Sequence, residues 1–158
     1  MAVTGTPVPA AGALSSDDIR WFLRDYSGNN ILLGNVEFSD SDISRAVLFA
    51  VDEYNILPPP IGTATAETIN RAVLLRGVCS YLLSSESILQ LRNQATYQAE
   101  GLPRIGVDDK YQDYGNLALK LREEFKELAI KIKQRDNMED AFGHIHSEYR
   151  DIGRWTRG

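Results

Sequence analysis

The chain has 158 residues, 43% of them hydrophobic and 25% charged, and a formal net charge of -5. That is enough chain for one domain with a real core, and the acidic balance argues against general coating of nucleic acid, which uses a basic surface. Cys79 is the only cysteine, which excludes an internal disulfide and a cysteine-rich zinc site and fits a reducing compartment.

Residues 1–14 are small and carry Pro7 and Pro9, so they are expected to form an extended N-terminal arm. The start has no basic segment and no sustained apolar run, so it does not read as a signal peptide. Ser15 or Ser16 then caps a short helix, SSDDIRWFLRD, with Asp17 and Asp18 placed to complement its dipole. Ile19, Phe22 and Leu23 are its expected buried face. YSGNN reads as a turn, and ILLGNVEF as a short strand or a packed loop.

The next segment, FSDSDISRAVLFAVDEYN, opens with Ser39 and Asp42 at capping-box spacing. Ile43, Val47, Ala50, Val51 and Tyr54 follow helical spacing, and Ala46 and Phe49 widen the face. A helix wet on only one narrow side is expected to lie mostly inside. LPPPIG stops it and gives a stiff extended connector. Thr65 or Thr68 is the expected cap of the longest helix. Its nearly apolar block, residues 72–83, marks it as the central helix, yet is too short and interrupted to span a bilayer. Ser84 and Ser85 are expected to bend or break it before Ile88, Leu89 and Leu91 resume the pattern. Gly101 and Pro103 end it.

After the loop LPRIGVDDK, residues 111–135 read as a long amphipathic helix capped by Asp108 or Asp109. Tyr114, Leu117, Leu121, Phe125, Leu128 and Ile132 recur at steps of three and four. Glu127 and Lys131 stand four apart in the favoured order. The expected fold is all-α, a small bundle of about four helices with extended N- and C-terminal arms. The arm spans 1–14, the bundle 15–140 and the C-terminal tail 141–158.

Catalytic signatures are missing from this sequence. It holds no phosphate loop, no dinucleotide fingerprint, no nucleophile elbow and no HExxH. Cys79 sits between Val78 and Tyr81 in the apolar block and reads as core. His144 and His146 form an HxH pair with Glu139, Asp140 and Glu148 nearby in sequence, but the pair reads as surface or interface histidines rather than zinc ligands. Asp108, Asp109 and Asp113 lack the spacing of a calcium loop. A di-metal carboxylate bundle needs ExxH, and Ala141 and Gly143 stand where those glutamates belong. The chain is therefore not expected to be an enzyme, and neither a cofactor nor a metal is expected. Lys120, Arg122, Lys126, Lys131, Lys133 and Arg135 are interrupted by Glu123, Glu124 and Glu127, giving a solvated mixed-charge face. Arg76 lies inside an apolar helix and needs either a packed ion pair or a contact between subunits.

The chain closes on GHIHSEYRDIGRWTRG, residues 143–158, which fits neither a helical nor a strand period. Tyr149, Arg150, Ile152, Arg154, Trp155 and Arg157 supply the residue types that dominate protein–protein hot spots. They are the expected partner-binding residues of a docking tail.

The run AEGLPRIGVDDKYQDYGNLALKLREEFKELAIKIKQRDN, followed by GHIHSEYRD, resembles the head–tail adaptor, or connector, proteins of tailed bacteriophages. The resemblance covers roughly residues 40–150, as a helix layout rather than a motif. It implies a structural virion protein of the neck region, assembled in the host cytoplasm. It implies a homo-oligomeric ring, usually a dodecamer, beneath the portal protein. Residues 143–158 would correspond to the portal-docking segment, and residues 111–135 to a bundle helix. Loops would meet the next neck or tail-completion protein, and DNA would pass through the ring without sequence recognition. No membrane is implied. Another neck, tail or baseplate component is the neighbouring reading. A helical regulatory DNA-binding module is the more distant one, because its recognition helix should be short and basic.

Overall fold

Local hydrogen bonds at three serine and asparagine residues set where the helices begin. The computed structural model describes residues 14–30, 34–60, 62–99 and 110–142. Four helices follow in order: α1 (Ser16–Leu23), α2 (Asp40–Ile56), α3 (Arg71–Ala99) and α4 (Lys110–Phe142). No strand occurs among the described residues, so the fold is all-α. The residues of ILLGNVEF that are described, from Gly34 onward, form bends rather than a strand.

Ser15 and Ser39 both build full capping boxes. In α1 the Asp18 N–H donates to Ser15 Oγ at 3.2 Å and the Ser15 N–H donates back to Asp18 at 3.0 Å. In α2 Asp42 and Ser39 repeat this at 3.2 and 3.1 Å. Aspartate does the work usual for glutamate, satisfying two otherwise orphaned donors. Those serine hydrogen bonds hold the Asp42 carboxyl below its ordinary range. The expected caps of α3 are displaced. Thr65 and Thr68 bond each other in a turn of their own, and Asn70 Oδ1 accepts the Ala72 N–H at 3.0 Å where the helix starts. Asn55 ties the connector to α2 through a two-way bond with Ala64, at 3.0 and 2.8 Å. The proposed cap of α4 lies outside the described residues.

The third helix is unbroken. Ser84 Oγ donates to the Ser80 carbonyl and Ser80 Oγ to that of Gly77, both at 2.7 Å. The Ser80 and Ser84 hydroxyls are satisfied by their own helix, and α3 runs without a break through Ser84 and Ser85. Residues Arg71–Asn93 are long and apolar enough to cross a bilayer by length and composition alone, which the shorter apolar block did not suggest. Half of that window is buried against the other helices, as a bundle's central helix requires.

α3 pairs most extensively with α4, then with α2, and the short α1 packs against α3 and α2. The α3–α4 pair runs antiparallel, because Ser87 meets Tyr111 near one end and Arg76 meets Glu124 further along. The core contributions follow helical spacing: Ile43, Ala46, Ala50 and Tyr54 from α2, and Ala118, Leu121, Phe125 and Ala129 from α4. From α3 come Val73, Leu74, Val78, Cys79, Leu82 and Leu83. Small residues mark the closest approach. A Cβ on Gly77 would stand 2.9 Å from the fully buried Phe125 ring and 3.1 Å from Ala50. Glycine is thus required where α2, α3 and α4 meet.

Several expected core residues are on the surface. Phe22 is 41% exposed, Phe49 54% and Leu117 47%, and Ile88, Leu89 and Leu91 are also exposed. In α2 and α4 the small alanines at 46, 50, 118 and 129 take the buried positions instead.

Gly77→Ala should lower stability by about 1 kcal/mol. Overpacking of about 1–3 kcal/mol outweighs the gain in helix propensity of about 1 kcal/mol. A urea midpoint equal to or above that of the wild type would show that the three helices part freely at this point.

Candidate functional site

A buried carboxylate shapes the loop that forms one wall of the site. Asp25 is 2% exposed and accepts four hydrogen bonds. Its oxygens take the Glu37 N–H at 2.5 Å, the Phe38 N–H at 3.1 Å, Asn30 Nδ2 at 2.7 Å and Arg20 at 3.0 Å. Arg20 also reaches the Phe38 carbonyl and Asp40. The charge is paired and fully hydrogen-bonded, which is what its burial demands. This network fixes Glu37 and Phe38 beside α3.

Between that loop, α2 and α3 lies a cleft of about 580 Å³. Ala46 and Leu82 are buried in it, while Phe49, Ile88 and Leu89 remain exposed. Glu37, Asp42, Arg45 and Glu86 supply its charge. Glu86 is only 7% exposed and accepts Gln90 Nε2 at 2.6 Å. Burial, then the neighbouring charges of Glu86 and Asp25 and a hydrogen bond to Glu86, push the Glu37 carboxyl up to about 7. Burial and these two glutamates also raise the nearby Tyr114 hydroxyl. Protonated, Glu37 donates to Glu86 and holds the loop to α3. Chemically the pair can store one proton near neutrality. The rest of the lining is apolar, which suits recognition of a side chain better than turnover.

A second polar hub joins α2, α3 and α4. Glu53 receives Arg122 at 3.0 Å, Lys126 at 3.4 Å and the Tyr81 hydroxyl at 2.9 Å. Burial opposes ionisation of Glu53, but the hydrogen bonds from Arg122 and Tyr81 win and hold its carboxyl below the usual range. Arg122 also lies over the Tyr81 ring, and Phe49 packs against that ring at 5.7 Å.

The residues singled out in the sequence divide clearly. Tyr149, Arg150, Ile152, Arg154, Trp155 and Arg157 lie outside the described residues, as do His144 and His146. Cys79 is fully buried, and burial pushes its thiol up to about 12. Arg76 forms the packed ion pair, with its Nε 3.0 Å from Glu124 and a second bond to the Ala72 carbonyl. The basic stripe is not uniformly solvated. Lys133 is 3% exposed, bonds the Leu57 carbonyl at 2.6 Å and stands 4.8 Å from the Tyr54 ring centre. Arg122 and Lys126 turn to Glu53, Lys131 to Glu127 at 2.5 Å, and Arg135 to Asp136. Among the described residues no group of His, Cys, Asp and Glu is arranged to hold a metal ion.

Sequence reasoning passed over Asp25, Glu37, Glu53 and Glu86. The available signal was Glu86 itself, a carboxylate following the apolar stretch of a central helix. The other three gain their roles only through folding. On the surface, large apolar side chains are exposed on every helix: Trp21 and Phe22, Leu48 and Phe49, Ile88 and Leu89, and Leu117 and Leu119. Comparison with known proteins found no matching family model, no matching characterised relative and no matching solved structure.

The Glu37 carboxyl has a folded pKa near 7 against an ordinary value of 4.5. Between those values the native state binds more protons than the unfolded chain, so stability falls as pH rises. Glu37→Gln should match the wild type at pH 5. At pH 8 it should be more stable, on the order of 1 kcal/mol once the partial exposure of Glu37 is discounted. Thermal melts at the two pH values check this, and an equal gain at both would remove the proton from the explanation.

Proposed function

We propose that this chain is a structural virion protein of a tailed bacteriophage, a head–tail adaptor whose copies form a ring beneath the portal. One observation carries the reading: a small helical body with a complete core still presents large apolar side chains on all four helices. Exposed apolar surface beyond scattered single residues marks contact with other proteins. A ring repeats one interface between neighbours, so a small protomer gains a large total buried area. The sequence resemblance to connector proteins supplies the specific assembly, and residues 143–158 are its portal-docking segment.

The electrostatics favour an assembly protein over a DNA-binding module. Arg76, Arg122, Lys126, Lys131 and Arg135 are engaged by carboxylates, and Lys133 is buried. A helix surface whose cations are internally paired has little left to neutralise phosphates. With a net charge of -5, DNA passing through such a ring slides rather than sticks.

The test is mass and shape in solution, for the full chain and for a chain lacking residues 143–158, each alone and mixed with a candidate portal. The full chain should join the portal as a ring, and the shortened one should not. If both remain monomeric beside the portal, the adaptor assignment is wrong. Duplex DNA at low salt should show negligible binding, and tight binding would favour the regulatory module.

A further inference from the structure

Two exposed patches on this molecule are chemically complementary. The first is the α2–α3 cleft, with Phe49, Ile88 and Leu89 exposed and the carboxylates of Asp42 and Glu86 outnumbering Arg45. The second is the outer side of α1. Trp21 is 60% exposed, and two residues from the buried Ile19 it projects from the opposite side of the helix. The Arg24 guanidinium lies over the indole, 5.5 Å from its centre. Phe22 and Tyr26 are exposed beside them in sequence. Arg24 is the C-cap of α1 in the left-handed conformation, with φ 59°, so its backbone is fixed at the helix end.

Resting on the ring reading above, we propose that the Trp21 and Arg24 knob of one copy seats in the α2–α3 cleft of the next copy. The aromatic ring meets Phe49, Ile88 and Leu89, and the guanidinium meets the carboxylates. Trp and Arg are the side chains that most often anchor an interface, and apolar pockets receive them. At about 580 Å³ the cleft is within the range that accepts a compact organic group of this size. Like patches do not pair: two knobs oppose their arginines, and two clefts oppose their carboxylates. The contact therefore joins unlike surfaces, head to tail, which is the geometry that propagates around a ring.

The experiment uses two full-length surface variants. Trp21→Ala combined with Arg24→Ala removes the knob, and Ile88→Arg spoils the cleft, where it repels Arg24. Circular dichroism should show unchanged helicity for both, since every altered residue is exposed. Each variant alone should self-associate at least about tenfold more weakly than the wild type. Mixed in equal amounts, they retain one good knob and one good cleft, so they should form a two-chain species and nothing larger. Light scattering then reads twice the 17.7 kDa chain mass. If the wild type forms rings on the portal and both variants do too, this contact is wrong and the adaptor assignment stands. If the mixture gives no two-chain species, or full-sized assemblies, the one-knob, one-cleft junction is wrong. If the wild type never assembles, with or without portal, the adaptor assignment itself fails and takes this contact with it. If deletion of residues 143–158 abolishes the two-chain species, the tail is the occupant of the cleft and α1 is not.

Discussion

The arrangement of the helices depends on the near-contact at Gly77. Three helices converge there because one of them has no side chain, and the Phe125 ring fills the space that a Cβ would need. Alanines at 46, 50, 118 and 129 extend the same close packing along α2 and α4. Close axes leave little room between the helices, so larger apolar residues are displaced to the margins of each face. The exposed Phe49 and Leu117 follow from a core built tight around small residues.

The polar framework adds direction to that packing. Asp25 gathers a loop, Glu53 joins α2 to α3 and α4, and Lys133 ties α4 to the end of α2. No buried side-chain nitrogen or oxygen among the described residues lacks a partner. Removing one member of such a network leaves the others desolvated and unpaired, which costs more than the bond itself is worth. The apolar contacts bring the helices together, and these bonds select one register for them.

Helix identity was legible in the sequence because it is a local property. Ser39 with Asp42, the proline run after Leu57, and the spacing of Leu121 and Phe125 need no knowledge of distant residues. The margins were less legible. Periodicity places a residue on a face within a turn, but whether Phe49 or Ala50 takes the centre depends on how closely the neighbouring helix comes. The cap of α3 was misplaced because Thr65 and Thr68 satisfy each other, a local alternative with the same chemistry. The cleft could not be read from sequence at all. Glu37 and Glu86 are far apart in the chain, and they meet only because Asp25 holds the loop that carries Glu37 beside α3.

The burial of Cys79 gives the molecule an internal reporter. Its thiol is fully covered and held in the unreactive protonated form until strongly alkaline pH, so alkylating reagents reach it only when the helices separate. Because it is the sole cysteine, the rate of modification reads the opening of the core at one known point, without interference from other thiols. The same silence means that a cysteine introduced on the surface would be the one fast-reacting sulfur in the native chain. A spectroscopic label or crosslinker can then be attached at a chosen position without first removing the natural residue.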